Sequence, residues 1–226
     1  MTWNENLYRY WKAYGGNLFA ILEQTWDGTL MLEGSKGPLL IRTEAVGLSR
    51  YELDYYITVT AQVTLERPYA LHIRPASLMW TGVHQVLGGV MDLGKSTTLY
   101  QDPRAPKSLK KRHITTSEPP FTKWVLQSAP LVELLAQRKD WAVRIGASSA
   151  DERLHAVTAY AKTDAFFLAP EVFSMDSSEE TPADDPELSE RQTPSFDETL
   201  TQLTRLTEEA AAAVTAWPMP ILPSGE

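Results

Sequence analysis

One stretch of the sequence has the residue types and spacing of a phosphate-binding loop. Residues 89–96 read GVMDLGKS and match the pattern G-x-x-x-x-G-K-[ST]. In such a loop, backbone N–H groups cradle the phosphates, the Lys side chain reaches the terminal phosphates and the Ser hydroxyl binds Mg²⁺. Under this hypothesis Gly89, Gly94, Lys95 and Ser96 would hold a nucleotide.

The surroundings of this motif do not favour that chemistry. A phosphate-binding loop needs a buried strand before it and a helix after it. Residues 80–88 make a poor parallel strand, and residues 97–103 contain adjacent β-branched residues and an early proline. The four variable positions are bulky for a tight anion site and include a carboxylate. We therefore predict no cofactor and keep nucleotide binding as an alternative.

Other candidates for chemistry are weaker. The four histidines show no metal-ligand spacing, and the absence of cysteine excludes a thiolate metal site and a Cys nucleophile. No G-x-S-x-G sequence is present. We expect His155 to be a buried, hydrogen-bonded structural residue on a strand. No catalytic residue and no metal site are predicted, which favours a protein that is not an enzyme.

The net charge of −8 is unevenly distributed along the chain. Residues 171–226 contain 13 Asp and Glu against 2 Arg, whereas residues 1–170 contain 16 Asp and Glu against 19 Lys and Arg. This acidity argues against a nucleic-acid partner. No window is long and apolar enough for a membrane span, and the N-terminus lacks the features of a signal peptide. We expect a soluble, cytoplasmic protein.

Residues 104–113 form a basic run, with Arg104, Lys107, Lys110, Lys111 and Arg112. Such a run can bind an anion or an acidic partner. It can equally be a solvated loop, or an edge strand that lysines protect from aggregation. A third hypothesis is that this patch receives the acidic tail of the same chain.

Residues 55–74 carry the clearest structural pattern. Apolar and polar residues alternate with period two over residues 55–65 and again over residues 69–74, which is typical of half-buried strands. Pro68 belongs in the loop between them because it cannot donate to a strand ladder. We expect a hairpin, with Val63 opposite Leu71 and Ala61 opposite Ile73. Its outer face would place His72 near Gln62.

The remaining elements of the body follow from local periodicity. We predict a helix over 3–14 that ends at Gly15 and Gly16, and a pair of helices within 117–138. A last strand over 153–162 is apolar on both faces, which suits a central position. The other predicted strands are 29–33 and 38–43, joined by a four-residue loop, then 95–100 and 141–145.

The C-terminal part changes composition. Residues 171–194 are acidic and rich in Ser and Pro, so we interpret them as a linker. Residues 195–217 predict an amphipathic helix with a capping box at Ser195, followed by a Pro-rich tail over 218–226. Its apolar face either docks on its own domain or binds a partner protein. That face consists of Phe196, Leu200, Leu203, Leu206, Val214 and Trp217.

The order of elements resembles that of certain uncharacterised bacterial α+β proteins known only as domains of unknown function. The resemblance spans residues 3–165 and rests on four segments: YYITVTAQV, SEPPFTKWVLQSAPLVELLAQ, WAVRIGA and RLHAVTAY. It implies a fold class and no activity. We predict an α+β domain over 1–170, of one lobe or two similar lobes, whose mostly antiparallel sheet is built from hairpins and covered by helices on one face.

Three functions follow as hypotheses. The first is a non-enzymatic interaction or regulatory module, because the body is well patterned and lacks a catalytic constellation. The second is nucleotide binding through residues 89–96. The third is a small-ligand pocket between the sheet and the helices, rimmed by Trp80, Trp124 and Trp141.

Overall fold

The chain folds into strands, where apolar and polar residues alternate, and into helices, where apolar residues recur every three or four positions. The structure is a computed structural model that describes residues 3–20, 28–47, 53–76, 97–148, 151–163 and 195–216. Within these ranges the chain forms nine strands and five helices, an α+β fold as predicted. None of the helices in the described ranges is long and apolar enough to cross a membrane.

The nine strands form one sheet in which every strand pair is antiparallel. The strand order is β1-β2-β3-β4-β9-β8-β5-β7-β6. The continuity of this sheet favours one lobe over two. The strands are β1 Asn17–Phe19, β2 Thr29–Gly34, β3 Gly37–Gly47, β4 Leu53–Thr64, β5 Leu71–Pro75, β6 Thr98–Leu99, β7 Arg112–Thr116, β8 Ala142–Ser148 and β9 Asp151–Thr163.

The helices are α1 Trp3–Tyr14, α2 Lys107–Lys110, α3 Pro119–Val125, α4 Ala129–Gln137 and α5 Phe196–Thr215. Their apolar residues and those of one sheet face form a continuous buried cluster. The predicted helix 3–14 and the pair of helices within 117–138 are confirmed. Gly15 and Gly16 end α1 with φ angles of 77° and 99°, which favour glycine.

The predicted hairpin of residues 55–65 and 69–74 is wrong. Strand β4 pairs with β3 and β9, whereas β5 pairs with β7 and β8. Val63 therefore lies opposite His155, and Ile73 lies opposite Val143 and Ile114. The β8–β9 hairpin lies between the two strands that were expected to be neighbours.

Hydrogen bonds of the connecting residues explain why the chain does not turn back after β4. The Leu65 N–H donates to the Arg153 carbonyl at 2.9 Å, which continues the pairing with β9. The Tyr69 N–H then donates to Nε2 of His155 at 2.9 Å. The link between β4 and β5 thus crosses the end of β9, and its backbone groups are satisfied there rather than in a tight turn.

The other strand predictions agree more closely with the structure. The hairpin of β2 and β3 is confirmed, but Gly34 pairs with Gly37, so the turn is shorter than the predicted four-residue loop. Strand β9 is central, between β4 and β8, as its two apolar faces predicted. The predicted strand over 95–100 is confirmed for Thr98–Leu99.

The C-terminal helix α5 packs on the sheet of its own chain, across β4 and β9. Leu200, Leu203 and Leu206 are fully buried there. The Thr207 hydroxyl lies 3.1 Å from the Val59 carbonyl oxygen, and the ring of Phe196 meets that of Trp3 edge-on at 5.4 Å between centroids. Of the two interpretations of this helix, the structure shows docking on its own domain.

Candidate functional site

The sheet face that points away from the helices carries polar and charged side chains. Because side chains alternate along a strand, Ile57 and Val59 enter the core while Tyr56 and Thr58 point to the opposite face. We define the polar face by the residues that share this second face on five strands. The name is restricted to Arg42, Glu44, Tyr56, Thr58, His72, Arg74, Arg144, Thr158 and Tyr160, and Thr60 and Lys162 also lie on this side of the sheet.

The strand register brings these residues together. Arg42 lies opposite Thr58, which lies opposite Tyr160. Arg144 lies between Thr158 on one side and His72 on the other. Directly opposed residues in an antiparallel sheet have Cβ atoms about 5 Å apart, so the side chains of neighbouring strands contact one another.

Much of the polar face is buried. Tyr56 and Tyr160 are each 1% exposed, and His72 and Arg144 are each 5% exposed. Arginine is rarely buried to this extent without an anionic or hydrogen-bonding partner. The buried guanidinium of Arg144 therefore places positive charge in the part of this face that is least accessible to water.

His72 and Tyr160 form the closest polar contact of the face. Nε2 of His72 lies 2.5 Å from the Tyr160 hydroxyl. Burial raises the pKa of Tyr160 far above its ordinary value, and the positive charges of Arg144 and Arg74 oppose that shift. The phenol consequently stays protonated at neutral pH and acts as a hydrogen-bonding group rather than as a phenolate nucleophile.

The described side chains of the polar face carry more positive than negative charge. Among the described side chains of the polar face, Arg42, Arg74 and Arg144 carry positive charge, and Glu44 is the carboxylate that faces them. Glu44 is already bound to Arg42, with 2.6 Å between Oε1 and Nη2. Burial lowers the pKa of Arg144, the Tyr160 phenol and Glu44 oppose this, and Arg42 adds to it. The described part of the face thus has a surplus of positive charge.

Two guanidinium N–H groups of this face are also buried without a hydrogen-bond acceptor in the described structure. They are Nε of Arg42 and Nε of Arg74. A buried donor without an acceptor costs roughly 1–3 kcal/mol. An anion bound beside these groups would supply the acceptor and neutralise part of the charge.

His72 was expected beside Gln62 on the outer face of the hairpin, and this prediction is wrong. Gln62 lies opposite Ala156, whereas His72 lies opposite Arg144. His155 agrees with its prediction, because it is fully buried and bonded through both ring nitrogens. Since Nε2 accepts from the Tyr69 N–H, the proton of His155 resides on Nδ1, 2.9 Å from the Arg153 carbonyl oxygen.

The residues that were candidates for partner binding are not on the surface. Within the described chain, each of these side chains is at most 3% exposed, so none is accessible to a partner while α5 is docked. They belong instead to the core of their own domain. The described members of that set are Phe196, Leu200, Leu203, Leu206 and Val214; Trp217 lies outside the described residues.

The expected pocket between sheet and helices is not supported by the two described tryptophans. Trp141 is 3% exposed and packs against the Arg138 guanidinium, 5.3 Å from its ring centroid. Trp124 is half-buried and stacks on Phe121. Both belong to the apolar packing around the core, which is their more common role. Trp80 lies outside the described residues, as do the motif 89–96 and the segment 171–194.

The arginines of the polar face carry no distinctive sequence signal. Arg42, Arg74 and Arg144 each occupy a polar position in an alternating strand, which is typical of an ordinary solvated face. The sequence feature that could have pointed to them is the pattern of β9, because apolar residues on both faces of a strand are typical of a sheet that is covered on both sides. Comparison with protein families, curated proteins and solved structures finds no match. In the described residues no group of three or more His, Asp or Glu could hold a metal ion.

Proposed function

We propose that this protein is a non-enzymatic binding module whose polar face holds a small anionic ligand with carboxylate or phosphate groups. The observation that carries the proposal is the surplus of guanidinium groups on one partly buried sheet face, where Arg74 and Arg144 lie on the adjacent strands β5 and β8 and Arg42 lies on β3. Guanidinium forks bind carboxylate and phosphate oxygens in pairs, and burial strengthens such charged hydrogen bonds.

The same geometry favours binding over catalysis. The contact between His72 and Tyr160 is the pair on this face that most resembles an acid–base couple. Tyr160 is held in its neutral form by burial, and Glu44 is engaged by Arg42. Tyr160 is therefore not poised to remove a proton at neutral pH.

Isothermal titration calorimetry with inorganic phosphate and with citrate tests the proposal. We expect saturable binding to the parent protein and an affinity about 10- to 100-fold weaker in Arg74→Gln, because a hydrogen bond to a charged group contributes roughly 1.5–3 kcal/mol. Arg205→Gln is the matched control, since Arg205 is exposed on α5, which packs on the apolar side of the sheet. Circular dichroism establishes that both variants remain folded.

Two results would contradict the proposal. One is the absence of binding of either anion to the folded parent protein. The other is equal weakening of affinity in Arg74→Gln and Arg205→Gln, which would indicate a general charge effect rather than a site on the polar face.

Nucleotide binding through residues 89–96 stays a second proposal, supported by the sequence motif itself. The same calorimetry with Mg-ATP separates the two functions. Binding that is lost in Lys95→Ala and kept in Arg74→Gln would favour the motif. Binding that is lost in Arg74→Gln and kept in Lys95→Ala would place the phosphates on the polar face.

A further inference from the structure

A cleft between α2 and α4 is lined by residues of the basic run 104–113. Its volume is about 320 Å³. Three exposed lysines surround an apolar floor: Lys107 and Lys111 come from the α2 region, and Lys139 follows α4. Leu135 and Ala136 form the floor. The cleft therefore combines positive charge at its rim with an apolar surface at its base.

Arg112 also lines this cleft, but its guanidinium already has a structural role. It donates to the carbonyl oxygens of Leu135 at 2.5 Å, Trp141 at 2.6 Å and Arg138 at 2.7 Å. These bonds satisfy carbonyl groups at and just beyond the C-terminus of α4. Burial lowers the pKa of Arg112 to about 10, and Asp140 opposes the shift, so the group remains charged at neutral pH. The lysines are left as the cations that face a partner.

The C-terminal helix starts beside this cleft. Arg138, which precedes Lys139, donates to Glu198 Oε1 at 3.0 Å and to Gln202 Oε1 at 2.8 Å. Glu198 belongs to the first turn of α5, where its N–H donates to the Ser195 hydroxyl at 3.2 Å. Ser195, the N-cap of α5, therefore lies within about one helical turn of the residue that Arg138 binds.

The segment before Ser195 has the complementary chemistry. Residues 171–194 contain eight Asp and Glu against one Arg. Within it, residues 184–190 read DDPELSE, so a single leucine, Leu188, is flanked by carboxylates on both sides. Leu188 precedes Ser195 by seven residues. Seven extended residues span up to about 25 Å, which gives the segment ample reach to a neighbouring cleft.

We propose that residues 184–190 dock in the cleft between α2 and α4, with Leu188 against the exposed methyl group of Ala136 on its floor. The flanking carboxylates then pair with Lys107, Lys111 and Lys139. The basic run thereby serves as an intramolecular docking surface for the acidic segment of the same chain. This inference is independent of ligand binding on the polar face.

Zero-length carbodiimide cross-linking of the full chain, read by mass spectrometry, tests the docking. We expect cross-links from Lys107, Lys111 or Lys139 to the carboxylates of residues 184–190, and a several-fold loss of these products in 0.5 M NaCl, because salt screens exposed ion pairs. Lys36 is the control lysine. It is exposed in the turn between β2 and β3, next to Ser35, whose N–H binds Glu208 near the other end of α5.

A mixture of unlabelled and ¹⁵N-labelled protein separates docking within one chain from docking between two copies. Products that join residues 184–190 to the three lysines within one chain support the proposal. Products found only between differently labelled chains overturn it, as does cross-linking to Lys36 at the same yield as to the cleft lysines.

A second measurement addresses the apolar part of the contact. Leu188→Ser should shift the methyl resonance of Ala136 in the full chain, because that methyl group is exposed on the cleft floor. Met175→Ser is the matched control, since it removes another large apolar residue of the acidic segment. An Ala136 methyl resonance that is unchanged by Leu188→Ser, or that moves equally in both variants, overturns the proposed position of Leu188.

Discussion

Replacement of Leu203 by alanine probes whether the C-terminal helix is part of the core. Leu203 is fully buried where α5 crosses the sheet. The substitution removes three carbons, and at roughly 0.8 kcal/mol for each buried carbon the transfer free energy lost is about 2.4 kcal/mol. The cavity left in a rigid sheet–helix interface adds to this, so we expect the free energy of unfolding to fall by about 3–5 kcal/mol. That is a large fraction of the stability of an ordinary domain.

Urea unfolding, followed by circular dichroism and tryptophan fluorescence, measures this change. Arg205→Ala is the control, because Arg205 is exposed two positions further along the same helix and alanine preserves helix propensity. The control should change the free energy of unfolding by less than about 0.5 kcal/mol. A Leu203→Ala effect within 1 kcal/mol of the control would refute the packing argument and would revive the interpretation of α5 as a tethered partner-binding helix.

Three further predictions follow from buried polar groups. Arg112→Met removes three hydrogen bonds to carbonyl oxygens and should lower the free energy of unfolding by about 2–4 kcal/mol in urea, whereas the exposed Arg104→Met should change it little. Burial raises the pKa of Tyr69 and Tyr160 in the folded protein. The contribution of these neutral phenols to the free energy of unfolding is therefore complete below the unfolded pKa of about 10 and is lost as pH rises above it. In urea unfolding between about pH 8 and pH 11, the free energy of unfolding should fall less steeply with pH in the double variant Tyr69→Phe and Tyr160→Phe than in the parent protein. His155→Leu leaves the Tyr69 N–H without its acceptor and should cost about 1–3 kcal/mol in thermal unfolding, with His155→Gln costing less.

The local elements of this fold could be predicted because each depends on neighbouring residues. The helical spacing of Trp3, Leu7 and Tyr10, followed by two glycines, places α1 correctly. The capping geometry of Ser195 is also confirmed, since its hydroxyl accepts from the Glu198 N–H at 3.2 Å. The Glu198 carboxylate, by contrast, binds Arg138, a contact between residues far apart in the sequence. Periodicity and capping carry no information about such a contact.

Strand neighbours could not be predicted in the same way. Alternation fixes which face of β4 is buried, because Ile57 and Val59 must both enter the core. It does not fix which strand lies alongside. Pairing of β4 with β9 buries the same apolar residues as pairing with β5 would have buried. The choice between them depends on nonlocal contacts such as that of His155 with the Tyr69 N–H.

One cause explains both the wrong hairpin prediction and the failure to predict the polar face. If β4 and β5 were neighbours, His72 would lie beside Gln62, an uncharged amide, and nothing would connect it to a distant arginine. Insertion of β8 and β9 instead places Arg144 opposite His72 and brings the Tyr160 hydroxyl to 2.5 Å from the His72 ring. Each of these residues alone has the sequence pattern of a solvated strand position. The positive surplus of the polar face arises only when the nonlocal strand order brings these residues onto one side of the sheet.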